Sequence, residues 1–201
     1  MKVVIFDMDG VLIDSLDAWA KTVALAAEHF NKKKVTYEDF KKVFGQGTEQ
    51  DIKMFMPGRT VEEVEAFYKE NFPKFISETK IMPNVKETLV ELKNKGIKLA
   101  IATNTNHSMA EQQLDIVGLK DYFEVIVGGD EVENSKPEPD LINKALKKLN
   151  VKKEEAIYVG DTIFDVEAGK KADIFTIGFK ISADAKIEDI VEILEYVERK
   201  C

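Results

Sequence analysis

The chain has 201 residues, room for one sizeable domain or a domain carrying an insertion. Hydrophobic residues make up 44% and charged residues 33%, the balance of a globular chain with a full core rather than a low-complexity one. A net charge of −8 argues against broad contact with nucleic acid or anionic lipid, no apolar run approaches the roughly 18 residues that span a bilayer, and the lone cysteine, Cys201, excludes an intrachain disulfide.

The first predicted element is a strand at Val3–Phe6, followed at once by Asp7 and Asp9. No charged and apolar leader stands before it, so a cytoplasmic location is expected. From Leu16 to Lys80 the pattern is helical only. Leu16, Trp19, Val23, Ala27 and Phe30 share a face, and helical stretches follow at 37–44, 49–54 and 61–75. Roughly 65 residues of helix between a first and a second strand cannot be an ordinary crossover, because such connections are short. An inserted all-α cap over 15–80 is expected, with a core of 1–14 and 81–201.

Four further apolar runs follow, at Lys98–Ala102, Glu124–Val127, Ala156–Val159 and Asp173–Ile177. Short Val- and Ile-rich runs without alternation fit strands buried on both faces of a parallel sheet. Helical patterns accompany them. Val85, Leu89 and Leu92 form one stripe; Ser108 and Glu111 have capping-box spacing and open a helix through Ile116. Leu141, Ala145 and Leu149 mark the next, and Ile187, Ile190, Leu194 and Val197 the last. The class is α/β: a Rossmann-like, doubly wound parallel sheet with a helical cap.

In such a sheet ligands lie beyond the carboxyl ends of the strands. There the sequence places Asp7 and Asp9, Thr103-Asn104, Lys136-Pro137, and Asp161 with Asp165. Carboxylates packed at about 4 Å repel by ~4 kcal/mol per pair at an effective dielectric near 20, so the cluster calls for a cation. Oxygen ligands of this kind favour Mg²⁺. A metal beside a carboxylate, a lysine and a hydroxyl suits phosphoryl transfer.

Asp7-Met8-Asp9-Gly10-Val11, Thr103-Asn104, Lys136-Pro137-Glu138-Pro139 and Gly160-Asp161-Thr162-Ile163-Phe164-Asp165, in this order, resemble the four motifs of the haloacid dehalogenase-like (HAD) hydrolases. The chain is similar to their phosphoglycolate phosphatase and β-phosphoglucomutase branch, which carries a helical cap after the first motif. The resemblance implies a nucleophile at Asp7 and an acid/base at Asp9, whose backbone carbonyl would also face the metal. It implies phosphate contacts at Thr103 and the Asn104 N–H, charge neutralisation by Lys136, direct metal ligation by Asp161, and metal ligation by Asp165 either directly or through water. Dehalogenases of the family lack the second aspartate, so that activity is disfavoured.

Within the family, mutases carry basic residues in the cap loop. Here that loop reads Phe44-Gly45-Gln46-Gly47-Thr48-Glu49, without a cation, so hydrolysis of a small-molecule phosphate ester is preferred to mutase chemistry. A phosphorylatable Mg²⁺-binding regulatory module is a third reading, disfavoured by the long helical insertion. Gly45, Gln46 and Thr48 are the candidate substrate contacts of the cap. Ser15 is open between orienting the chain and ending a turn. His107 and Arg59 are secondary candidates for substrate contact, Trp19 is assigned to core packing, and His29 to solvent or the helix dipole. A monomer is the default, with a dimer open.

Overall fold

A computed structural model of the chain describes residues 1–199; Cys201 lies outside the described residues. Its main sheet has six parallel strands: β1 (Val3–Phe6), β4 (Lys98–Ala102), β5 (Val125–Val127), β6 (Ala156–Gly160), β7 (Phe175–Phe179) and β8 (Ala185–Ile187). Their order in space is β5-β4-β1-β6-β7-β8. β1 is central, pairing in register with β4 from Val3↔Lys98 to Phe6↔Ile101 and with β6 from Val3↔Ala156 to Phe6↔Val159. All four residues of β1 are buried, because alternate side chains enter two separate apolar layers. Val4 and Phe6 join Leu89, Leu92 and Leu114 on one face, and Val3 and Ile5 join Leu141, Ala145 and Ala168 on the other.

Helices α5 (Val85–Asn94), α6 (His107–Ile116), α7 (Asp140–Leu149), α8 (Ile163–Ala172) and α9 (Ile193–Arg199) cover the sheet. Three details depart from the sequence reading. The strand expected at Asp173–Ile177 begins at Phe175, since Asp173 closes α8 in a left-handed conformation. The final helix begins at Ile193: Ile187 belongs to β8 and Ile190 to a 3-10 turn, so their apolar spacing came from two elements. Helix α6 is capped by Asn106 rather than Ser108. The Asn106 Oδ1 accepts from the Ser108 N–H at 3.1 Å and from its hydroxyl at 3.0 Å.

Between β1 and β4 lie α1 (Leu16–Asn31), α2 (Tyr37–Lys41), α3 (Thr48–Phe55) and α4 (Val61–Asn71). They enclose an apolar cluster of their own, built from Trp19, Val23, Phe40, Phe55, Tyr68 and Phe72, among others. Trp19 stacks on Phe72 with ring centres 4.4 Å apart, as its place on the apolar stripe requires. His29 is exposed in the last turn of α1, in keeping with its assignment to solvent or the helix dipole, and its ring lies 4.9 Å from that of Phe30 and 4.8 Å from that of Phe67. Arg59 lies over the Phe30 ring, 5.3 Å from its centre. Two-residue strands β2 (Ile13–Asp14) and β3 (Lys80–Ile81) pair antiparallel where the chain leaves for these helices and returns. No helix among the described residues is long and apolar enough to cross a membrane.

Candidate active site

Parallel pairing brings the carboxyl ends of β1, β4 and β6 side by side, and the polar residues that follow them meet there. Asp7, Asp161 and Asp165 each offer a carboxylate oxygen, all within 4.8 Å of one another. The Lys136 ammonium lies 2.7 Å from Asp7 Oδ1 and 2.8 Å from Asp165 Oδ1, and all three side chains are almost wholly buried. Burial works against the lysine charge, but Asp165 and Asp7 outweigh it and hold the ammonium above the ordinary lysine range. Lys136 precedes a cis peptide bond to Pro137.

The three carboxylates are not equivalent. Asp165 is saturated. Its Oδ1 accepts from Lys136 and, at 2.6 Å, from the Tyr158 hydroxyl; its Oδ2 accepts from the Thr162 N–H at 3.0 Å and the Thr162 hydroxyl at 2.5 Å. The bond from the Thr162 N–H, with the Asp165 N–H donating back to the Thr162 hydroxyl oxygen at 3.3 Å, forms a capping box that starts α8 and fixes the carboxylate in place. Burial alone would raise the Asp165 pKa, yet Lys136 and these donors hold it below the usual carboxylate range. Asp161 lacks such support: its Oδ1 is buried with no hydrogen-bond partner, and burial followed by repulsion from Asp165 pushes its pKa to about 7. Burial likewise raises Asp7 well above the usual range, against the pull of Lys136.

An orphaned buried oxygen within a group of oxygen donors is the environment a hard divalent cation satisfies, so the residues fit Mg²⁺. Gly10 adds to the cradle. It has φ +84°, and a Cβ there would overlap the Asp161 carboxylate.

Asp9 stands apart from this cluster. Its carboxylate accepts from the Ser15 hydroxyl at Oδ1 and from the Thr105 hydroxyl at Oδ2, the latter at 3.0 Å. Burial raises its pKa, and the bonds from Ser15 and Thr105 only partly oppose this. Thr103 is buried beside it, with its Oγ1 accepting from the Thr105 N–H at 3.1 Å.

The Asn104 side chain stitches three segments together. It accepts from the Lys136 N–H at 2.9 Å and donates to the Gly45 carbonyl at 3.1 Å and the Lys136 carbonyl at 3.4 Å.

A narrow cavity opens from Asp7 and Asp9 toward the helical segment. Thr103, Asn104 and Thr105 line its core side, and Trp19, Phe44, Gly45, Thr48, Asp51 and Tyr68 its other side. Gln46 does not line it; its amide donates to the Lys42 carbonyl at 3.2 Å and faces an outer cleft. His107 is also outside, 3.0 Å from Glu131. Sequence reasoning passed over Thr105, Tyr158, Asp51 and Tyr68. Thr105 follows Thr103-Asn104 directly and had a signal, its position just past a strand end. The other three sit on element interiors, where a polar side chain gives none.

A family model for haloacid dehalogenase-like hydrolases matches residues 4–179. The chain belongs to the haloacid dehalogenase-like hydrolases. Among curated relatives of this hydrolase, the phosphoglycolate phosphatase of Aquifex aeolicus is 39% identical over 178 residues, 86% of this chain and 81% of that protein. The pyrophosphatase PpaX of Listeria monocytogenes is 34% identical, over 87% of this chain and 81% of that one. The phosphorylated carbohydrates phosphatase of Thermotoga maritima is 34% identical, over 87% and 82%. A solved beta-phosphoglucomutase from Clostridium difficile superposes with a TM-score of 0.86 at 19% identity, covering 100% of this hydrolase and 96% of that chain, a likeness of fold alone.

Proposed function

We propose that this hydrolase is a Mg²⁺-dependent phosphatase that cleaves a small-molecule phosphate monoester through an aspartyl-phosphate on Asp7. The observation that carries the reading is the Lys136 ammonium 2.7 Å from Asp7 Oδ1, with Asp7 and Asp9 both lining the cavity. The relatives named as phosphatases agree with it.

In the first step a carboxylate oxygen of Asp7 bonds to phosphorus as the bond to the alcohol oxygen breaks, and Asp9 gives its proton to the departing alkoxide. Burial has raised Asp9 toward the protonated form that this step needs. In the second step a water oxygen bonds to phosphorus, the Asp7–phosphorus bond breaks, and the water proton passes to Asp9. Ser15 and Thr105 keep the Asp9 carboxyl in one orientation through both steps. Thr103 and the Asn104 N–H hold phosphoryl oxygens, while Lys136 opposes the effect of burial on Asp7, favouring its ionised form, and offsets charge on the transferring group.

Asp7 and Asp161, with Asp165 beside them, would hold Mg²⁺, which supplies positive charge against the phosphoryl oxygens when bound. Asp165, filled by its four donors, serves chiefly to position Lys136.

We divide the molecule into a core of 1–14 and 81–201 and a cap of 15–80, whose closure excludes water from the cavity. Gly45 and Thr48 contact the substrate from the cap.

A mutase would have to grip a second phosphate, and no residue lining the cavity carries a positive charge. Phosphate release from a panel of esters, in Mg²⁺ and in EDTA, tests the reading. Metal-dependent release is expected. Isomerisation of a hexose 1-phosphate without release would replace it with the mutase reading.

A further inference from the structure

The residues of the cap that line the cavity include a buried carboxylate that the chemistry above does not use. Asp51, on α3, is 7% exposed and accepts a hydrogen bond at Oδ2 from the Tyr68 hydroxyl at 3.0 Å. Among the described residues no cation is paired with it. The residues lining the cavity include no lysine, arginine or histidine, and Lys136 is committed to Asp7 and Asp165. A second carboxylate, Glu65, stands behind the cap loop, bonded by the Thr48 hydroxyl at 3.4 Å and the Asn106 amide at 2.9 Å. The remaining cap wall is aromatic, with Trp19 edge-on to Tyr68 at 5.6 Å between ring centres.

A carboxylate accepts about four hydrogen bonds, and Tyr68 supplies one. A buried acceptor of this kind is costly unless a ligand completes its set of donors. Hydroxyl groups are suitable donors, and an aromatic wall packs against the carbon face of a polyol. A distal carboxylate or phosphate would instead meet the Asp51 acceptor oxygens, with no countercharge among the residues lining the cavity.

We infer that Asp51 determines specificity by accepting hydrogen bonds from hydroxyls at the non-reacting end of the substrate, so that the enzyme prefers polyol or sugar phosphates to phosphorylated carboxylic acids. The inference rests on the phosphatase reading of the same site, and goes beyond it by naming the substrate class. It sets this chain apart from those relatives whose names specify phosphoglycolate or pyrophosphate.

Matched pairs of esters differing only at the distal group provide the test. These are 2-hydroxyethyl phosphate against phosphoglycolate, and glycerol 3-phosphate against 3-phosphoglycerate, with pyrophosphate as a further anionic probe. With the full chain in Mg²⁺, kcat/KM is expected to be at least about tenfold higher for the alcohol of each pair, the worth of one charged hydrogen bond. Asp51→Asn should bring both ratios toward one, raising the acids and lowering the alcohols; Tyr68 can still donate to the amide oxygen, which favours a folded variant. Should the variant fail to fold, the wild-type ratios still decide. Preference for the acids, or ratios unmoved by Asp51→Asn, would overturn the inference while leaving a phosphatase. Turnover of no ester would overturn the phosphatase reading and this inference with it.

Discussion

The strand ends and the helical segment between β1 and β4 each bury carboxylates, and they treat them in opposite ways. At the strand ends, two carboxylates share one lysine, and Asp165 is held by Lys136, Tyr158 and Thr162 until its charge is favoured. In the cap, Asp51 has a single neutral donor and burial pushes its pKa to about 7. The first arrangement is complete on the protein side at Asp165 and leaves a buried oxygen of Asp161 without a hydrogen-bond partner. The second is incomplete in the free protein. A site finished by its own side chains performs chemistry on any ligand that reaches it, whereas a site left short of donors chooses among ligands.

Removing the reactive member of the core set should have the largest effect. Asp7→Asn is expected to lower phosphatase turnover by at least about a thousandfold, in keeping with losses on removal of nucleophiles, while the thermal transition persists. Near-normal kcat would remove Asp7 from the nucleophile role.

Removing the shared cation attacks stability as well. Lys136→Ala leaves Asp7 and Asp165 buried without a countercharge, and loss of one member of such a buried pair costs roughly 3–5 kcal/mol. Denaturant unfolding should show this loss at pH 7, and an unchanged midpoint would show that the pair is solvated in solution.

The cap carboxylate predicts the reverse sign. Its folded pKa is raised from 3.8 to about 7, so the stability contributed by the protonated group is fully present below about pH 4 and lost as pH rises through 7. An amide suffers no such loss. Asp51→Asn should therefore unfold at a higher denaturant concentration than wild type at pH 8, by up to roughly 4 kcal/mol, and at about the same concentration at pH 4. A variant less stable than wild type at pH 8 would show that the Asp51 charge is compensated after all.

The smallest effect falls on the seam between the two regions. Asn104→Ala removes the bonds to Gly45 and to both backbone groups of Lys136, at a cost of about 1–3 kcal/mol. It should raise KM more than it lowers kcat, because the cap loop is released while Asp7 and Asp9 remain. An unaltered KM would separate the loop from substrate binding.

The same contrast explains what was legible beforehand. The sheet could be read because β1, β4 and β6 are buried on both faces and so appear as unbroken apolar runs. Helix α8 gave a weak signal, since its buried residues are Asp165, Ala168, Gly169 and Ala172. Strands β2, β3 and β8 have only two or three residues each, too few for a period. Core site residues could be placed because they follow strand ends, where topology alone brings them together. Asp51 could not, because a polar residue within a helix is read as solvent-facing until the packing of α1, α3 and α4 around it is known. Gln46 and Thr48, two residues apart, differ for a similar reason: both reach the outer cleft, but only Thr48, at the start of α3, also reaches the cavity.

The central claim, a phosphoryl group carried on Asp7, is tested most directly by trapping it. The enzyme would be acid-quenched during turnover of an ester it cleaves in Mg²⁺, reduced with borohydride, which converts an acyl phosphate to an alcohol, and its peptides sequenced by mass spectrometry. The account predicts the reduced side chain at position 7, and none there in Asp7→Asn. Modification at another carboxylate, or rapid turnover with no trapped carboxylate, would contradict it.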